Sequence, residues 1–400
     1  MSQVSRALLL AIVALLLFAR PAGAAEPAAG DAPRISVYTI GTGEYLYSKF
    51  GHTALCVTPA GAADGTARCY DFGVSDPPDD FAAMTWGAFR GRANFAVVAV
   101  DEKVLIEAFS GMGRSVERQR LTLPPEQAKK IAAVLEDKLV RREHYAYHPS
   151  RSNCTTYVRD IVDEATGGAL RAGEAPTTGA TFRDLFETGM AGEILPLSVL
   201  ALLMGPLEDR PTTWELLLLP DNLRDAIKAR LGADIETVHT PGGMRLPTSR
   251  HVGRATLVLL GIVMAIVMFV ARRRGTEARA VRAVTGILAT LGLFAWAVAG
   301  LTGYAELRWT WSLLVLLPTD ALLFGLTPGR RQRYLEARLV TCALLAALAV
   351  VGIVHQPVWA PALLVALPLA YLWLAPRLPN RAPTRAPAAA RRPPARAVAK

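Results

Sequence analysis

Cysteine is scarce in this chain: four residues in 400, at positions 56, 69, 154 and 342. Equally absent are a phosphate-cradling glycine loop, a dinucleotide fingerprint and a Gly-x-Ser-x-Gly elbow, which excludes the nucleotide and serine-hydrolase chemistries that need them. There are only six histidines. His144 and His148 have a chelating spacing, but Tyr145, Tyr147 and Pro149 beside them read as a loop. No carboxylate or cysteine set with zinc spacing accompanies them, so they read as surface residues and neither a metal nor a cofactor is implied. No internal repeat is visible. The few cysteines and histidines therefore become the residues to place.

Apolar residues are not scarce. They make up 52 % of the chain, with a positive mean hydropathy of +0.28, which points to soluble and membrane parts in one polypeptide. Arg6, the apolar run Ala7 to Phe18 and then Ala22-Gly23-Ala24 read as a signal peptide over residues 1–24, or else as an uncleaved anchor. Past residue 250 the apolar runs are Ala255–Ala271, Ala283–Gly303, Trp311–Leu326, Leu339–His355 and Val358–Pro376. Each is near the roughly 20 residues needed to cross a bilayer. Trp311–Leu326 is short and carries Pro318 and Asp320, so the expectation is a bundle of five transmembrane helices, with four as the alternative. Asp320 is expected at the membrane interface rather than in a polar contact within the span.

The formal charge is +10. Arg272, Arg273, Arg274, Arg279 and Arg282 follow the first run and Arg330, Arg331 and Arg333 the third. Arg377, Arg381, Arg385, Arg391, Arg392, Arg396 and Lys400 follow the fifth. Positive connections that alternate in this way place residues 25–250 outside the cytoplasm and the C-terminus inside. The arginines thus form a topogenic pattern and not a basic domain, which excludes a nucleic-acid partner. The organisation expected is a leader (1–24), an exported domain (25–250), a transmembrane domain (251–376) and a disordered basic tail (377–400). The localisation is then a multi-pass position in a membrane.

Within the exported part, Arg34–Ile40, His52–Thr58 and Ala67–Val74 have strand character, with Ala60–Thr66 as a hairpin turn. Ala93–Val100 and Val116–Leu121 are further strands, and Glu126–Arg141 is a helix. Ile194–Met204 is too short to span and reads either as core or as an interfacial segment. Asn153–Ala165 is predicted as an amphipathic helix, with Tyr157, Val158, Ile161 and Val162 as its buried stripe and Ser152 or Asn153 as its cap. That puts Cys154 in the first turn, where free backbone N–H groups favour a thiolate. A small buried hydrophobe is the plain alternative.

Exported thiols tend to pair. Cys56 and Cys69 flank the hairpin turn symmetrically and are placed to bridge it, while Cys342 lies in a membrane run, leaving Cys154 unpaired. With Cys56 opposite Cys69, positions 52 and 71 share a sheet face as diagonal neighbours. His52 then activates Cys154 and Asp71 orients the imidazole as a third member. Glu44, Tyr45, Ser48 and Asn153 compete as polar partners, for the imidazole or for the oxyanion.

The stretches Tyr47-Ser48-Lys49-Phe50-Gly51-His52-Thr53-Ala54-Leu55, Tyr70-Asp71-Phe72-Gly73, Phe89-Arg90-Gly91 and Asn153-Cys154-Thr155-Thr156 resemble the periplasmic domain of the Lnb-type lipoprotein N-acyltransferases. So do Thr181-Phe182-Arg183-Asp184-Leu185 and Asp209-Arg210-Pro211-Thr212-Thr213-Trp214-Glu215 leading to Leu219-Pro220. The likeness spans about residues 35–225. It implies an α+β fold of the permuted papain/NlpC-like kind, with an antiparallel sheet carrying the histidine and a helix carrying the cysteine. It also implies acyl transfer from a phospholipid donor to a lipoprotein acceptor at the membrane, through a Cys154 thioester and without a cofactor. A membrane-anchored thiol hydrolase acting on cell-wall peptides or lipid esters, and a non-catalytic scaffold, are the alternatives.

Overall fold

The computed structural model describes residues 32–75, 81–241 and 248–377; the expected leader and the basic tail lie outside the described residues. The described residues fall into two compact units. The first is drawn from Met1–Ala88, Arg92–Thr177 and Pro211–Met244, the second from Phe89–Gly91, Thr178–Arg210 and Arg245–Lys400.

The first unit is built on seven strands: β1 (Arg34–Ile40), β2 (His52–Thr58), β3 (Arg68–Ser75), β4 (Asn94–Asp101), β5 (Val116–Leu121), β6 (His144–Ala146) and β7 (Ile235–His239). They form one sheet in the order β6-β4-β3-β2-β1-β5-β7, every pair antiparallel. The helices are α1 (Phe81–Phe89), α2 (Glu102–Gly111), α3 (Pro125–Val140), α4 (Cys154–Ala165) and, after the two helices of the second unit, α7 (Pro220–Leu231). The fold is α+β.

Alternation along β1 shows why both sheet faces are covered. Ile35 and Val37 join Leu55, Tyr70, Phe72, Ile131, Leu135, Val158, Val162, Leu223 and Ile227 in one core, formed with α3, α4 and α7. Tyr38 and Ile40 join Ala54, Cys56, Cys69, Leu105 and Val116 in another, under α2. Each fully buried aliphatic side chain contributes about 1.5–3 kcal/mol. Helix α2, which the sequence pattern did not reveal, is anchored at its first residue. Buried Glu102 accepts from the Tyr38 hydroxyl and, at 3.1 Å, from Arg118 Nη1. β6 holds His144 in a strand paired with β4, where a loop was expected.

The second unit contains α5 (Phe182–Gly189), α6 (Ile194–Leu203), α8 (Val252–Arg273), α9 (Glu277–Leu301), the short α10 (Ala305–Arg308) and α11 (Ser312–Val315), a 3-10 turn (Pro318–Phe324), α12 (Pro328–Val350) and α13 (Trp359–Leu374). Among the described residues, four segments are long and apolar enough to cross a membrane: Val252–Arg273, Glu277–Leu301, the broken segment Ala305–Phe324 and Trp359–Arg377. The expected span Leu339–His355 falls elsewhere in its helix than the apolar run suggested. α12 starts at Pro328 and stops at Val350, so Arg330, Arg331, Arg333, Glu336 and Arg338 occupy its first half. Helix continuity is set by backbone hydrogen bonds and not by hydropathy, so a polar half and an apolar half share one rod. One cleft is lined by Arg272 and Arg282, by Leu323 and Arg331, and by Leu372 and Pro376. Arginines of the first two basic connections, Arg272, Arg282 and Arg331, thus share one cleft with Pro376 at the end of the last apolar segment.

Asp320 makes a polar contact: it is 1 % exposed and forked to Arg338, itself 3 % exposed, through contacts of 2.9 Å on both carboxylate oxygens. Tyr334 donates to the same carboxylate at 2.8 Å. Helix α6 is core on one face and exposed on the other: Leu197, Leu200 and Leu203 are buried, whereas Ile194, Leu195 and Val199 are exposed. It lies against α8 at Gly253, where a Cβ would stand 2.2 Å from the Leu197 carbonyl carbon, a close approach that only a small residue allows.

Candidate active site

The site forms at the open end of β2, where the two sheet faces come within reach of each other. Gly51 holds φ at +80°, and a Cβ there would be 2.8 Å from the Ile40 carbonyl oxygen. The chain can thus turn tightly under β1 and start β2 with His52. Ala54 pairs with Asp71 and Cys56 with Cys69, so Asp71 is the diagonal neighbour of His52 on the face beneath α2. Cys56 and Cys69 form a disulfide, with Cα atoms 3.9 Å apart. The register shifts between Asp71 and Val74. Gly73 in that irregularity donates its N–H to Asp71 Oδ1 at 2.6 Å. It also leaves room for the imidazole, since a Cβ at Gly73 would lie 2.6 Å from His52 Cε1.

Cys154 arrives from the opposite face. Asn153 caps α4: its Oδ1 accepts from Thr156 N–H at 2.9 Å, and Thr156 Oγ1 reciprocally receives the Asn153 N–H at 2.9 Å. The Asn153 amide nitrogen donates to the carbonyls of Pro149 at 3.0 Å and Leu218 at 3.3 Å. With cap and ties made, that side chain fixes the helix start and has no donor left for an oxyanion. Thr155 reaches the strand, its hydroxyl 3.2 Å from that of Thr53.

These constraints place Cys154 Sγ 3.0 Å from His52 Nδ1. On the other side of the ring, His52 Nε2 lies 3.0 Å from Asp71 Oδ1, out of line for a straight hydrogen bond. Cys154 is half-buried, whereas His52 is buried. Burial alone would raise the thiol, but the His52 imidazole and the Thr53 N–H hold Cys154 below its ordinary value. Burial would likewise lower His52, and the charges of Asp71 and Cys154 outweigh it, holding the imidazole well above the ordinary histidine value. Asp71 is kept below the usual carboxylate range against its own burial by His52, the Gly73 N–H and Arg114. The resting state these couplings favour is a thiolate–imidazolium pair with an ionised carboxylate behind it. The α4 N-terminus adds its partial positive charge to the thiolate side.

The remaining expected partners separate. Ser48 is buried, and its hydroxyl donates to the Tyr45 carbonyl at 2.8 Å, closing its own turn. Glu44 and Tyr45 are exposed, and among the described residues no hydrogen bond or ion pair joins either to Cys154 or His52. Tyr45 and Tyr47 stack on each other, with centroids 5.6 Å apart, at 64 % and 73 % exposure. Sequence reasoning missed Phe109, whose ring lies 5.5 Å from that of His52, and Arg114, whose guanidinium carbon is 4.8 Å from the centre of the same Phe109 ring. Both follow from the placement of α2, and no local motif marks them.

Residues 25–188 match the model of the Lnb N-terminal periplasmic domain. The match covers under half of the 400 residues and shows that this part of the chain is similar to an Lnb-type periplasmic domain. No curated protein and no solved structure matches the chain. The Lnb domain carries His52, Asp71, Arg114 and Cys154 within the matched residues. An Lnb periplasmic domain together with four apolar segments fits a multi-pass inner-membrane protein, in a family associated with lipoprotein modification.

Proposed function

We propose that this protein is a membrane-bound acyltransferase that moves a fatty acyl chain from a phospholipid to the N-terminal amine of a lipoprotein through a thioester on Cys154. The observation that carries the proposal is the 3.0 Å approach of Cys154 Sγ to His52 Nδ1, with Asp71 3.0 Å from the far ring nitrogen. A nucleophile, a base and an orienting acid stand in the order that thiol acyl transfer needs.

In the first step the thiolate attacks the ester carbonyl. The tetrahedral intermediate collapses with cleavage of the carbon–oxygen bond, and the imidazolium gives its proton to the departing lysophospholipid oxygen. Cys154 is left as a neutral thioester beside a neutral His52. In the second step the acceptor amine attacks the thioester, His52 takes the amine proton, and cleavage of the carbon–sulfur bond restores the thiolate–imidazolium pair. The Cys154 backbone N–H, at the first turn of α4, is the oxyanion donor we assign. We read the unit as a permuted papain/NlpC-like arrangement, because the histidine strand precedes the cysteine helix. Residues 25–250 are read as exported and the C-terminus as cytoplasmic, from the alternation of arginine-rich connections. The exposed Tyr45-Leu46-Tyr47 tip suits an enzyme whose donor and acceptor are both lipid-anchored.

The test is intact-mass spectrometry of a diacylated lipoprotein in phospholipid vesicles with the wild-type protein or Cys154→Ala. A gain of one acyl chain is expected with the wild type alone, and the loss in the variant should be about 10³-fold or more. Release of free fatty acid without acceptor acylation would point to a thiol hydrolase. Acylation by both proteins would remove Cys154 from the reaction.

A further inference from the structure

Arg114 is spent on less than it offers. It is 4 % exposed, yet the only hydrogen bond of its side chain among the described residues is from Nε to the Gly41 carbonyl oxygen at 2.8 Å. Its Nη2 is buried with no acceptor. No carboxylate stands within ion-pair distance of it among the described residues; Asp71, the nearby acid, is engaged by His52 at 3.0 Å and by the Gly73 N–H at 2.6 Å. A buried charged group normally has a partner, and leaving a charged donor unmatched costs more than leaving a neutral one unmatched. The fold keeps Arg114 in this state deliberately placed: its own N–H donates to the Phe109 carbonyl at 3.1 Å, its guanidinium lies over the Phe109 ring, and that ring neighbours His52.

The electrostatic neighbours say which way the charge acts. Burial pushes the guanidinium below its ordinary value, and the opposing influences come from Cys154, Tyr47 and Asp71, with Cys154 the largest. The unsatisfied cation is therefore coupled to the reacting sulfur on one side and to the exposed Tyr45–Tyr47 turn on the other. That turn is tied to it through the loop: Arg114 bonds Gly41, and a Cβ on Gly43 would stand 3.3 Å from Arg114 Cδ. A neutral ester needs no such group. An ester a few bonds away from a phosphodiester does, because a guanidinium fork matches two phosphate oxygens.

We propose that Arg114 is the anion-recognition residue of this site, taking the phosphodiester of a glycerophospholipid while the adjacent ester carbonyl is presented to Cys154. The assignment rests on the acyl-donor reading above and adds to it that the donor is selected by its phosphate. Arg114 binds and orients; it exchanges no proton in either step.

The test measures protection of Cys154 from iodoacetamide in the full-length protein by monomeric short-chain ligands. Dihexanoylphosphatidylglycerol should protect at concentrations on the order of 10- to 100-fold lower than neutral dihexanoylglycerol, the range expected for a charged hydrogen-bonded contact. In Arg114→Gln that difference should collapse, and Arg114→Lys, which keeps the charge but not the fork, should restore part of it. Equal protection by the two lipids in the wild type would overturn the proposal without recourse to any variant. A difference that persists in Arg114→Gln would also overturn it, as would inorganic phosphate protecting as well as the lipid does, since the site would then hold free anions. Selective protection without any transfer to a lipoprotein would leave Arg114 standing and sink the acyltransferase reading instead.

Discussion

Two buried arginines, one in each unit, make opposite use of the same side chain. In the second unit Arg338 is saturated: it forks to both oxygens of Asp320 at 2.9 Å and donates to the carbonyls of Leu314 at 3.3 Å and Val315 at 2.5 Å. In the first unit the Arg114 side chain makes one hydrogen bond among the described residues and keeps a buried nitrogen unmatched. Burial of charge is common to both and so distinguishes neither. What separates a structural pair from a binding group is unspent hydrogen-bonding capacity, because a saturated pair offers nothing to a ligand.

The comparison can be pressed hardest in the second unit. Removing one partner, as in Arg338→Met, should leave Asp320 buried and unpaired and cost about 3–5 kcal/mol. Thermal unfolding in detergent would read this as a lowered midpoint, and Asp320→Leu combined with Arg338→Met should recover most of the loss. If the single variant unfolds like the wild type, the pair is not the structural clamp described. The corresponding staple of the first unit is covalent. Cys56 and Cys69 are separated by 13 positions, and opening a loop of that size should cost about 3 kcal/mol. Cys56→Ser with Cys69→Ser, or reduction of the wild type, should lower the unfolding midpoint of the unit that holds the site; an unchanged midpoint would show that the sheet register needs no staple.

The smallest effect expected is a shift in pH dependence. Donation to the leaving oxygen needs the imidazolium, so the high-pH limb of kcat/KM follows loss of the His52 proton. Asp71 favours the charged ring. Its replacement in Asp71→Asn should therefore move that limb to lower pH, whereas the low-pH limb reports the thiol. The same coupling adds stability that is fully present below the ordinary histidine pKa and is lost as the pH rises through the higher value of His52. A high-pH limb that stays in place in Asp71→Asn would remove Asp71 as the group that holds the ring charged.

Much of the first unit was legible because its signals are local. β1, β2, β3, β4 and β5 show as alternating or β-branched runs, and α4 declares itself by a capping Asn153 and a stripe at Val158, Ile161 and Val162. The pairing of Cys56 with Cys69 and the diagonal placement of Asp71 follow from one hairpin register. β6 and β7 were not legible: each is short and completes a sheet edge by pairing with strands far away in the chain. The membrane runs were legible as composition, but the boundaries of α12 were not, because Arg338 is tolerated there only through an acid 18 positions earlier.

The sequence by itself determined the two-part character of this protein, the unpaired thiol at a helix start and the histidine at a strand start, since each depends on residues within a few positions of one another. Only the tertiary structure decided that a helix on one sheet face and a strand end reaching from the other bring Sγ and Nδ1 to 3.0 Å, and that Asn153 is consumed as a cap. Only packing of α2 beneath the sheet put Arg114 next to them with a donor to spare. Local patterns fix what an element is; which polar atoms remain unmatched depends on every other element around them, and that sum exists only in the folded chain.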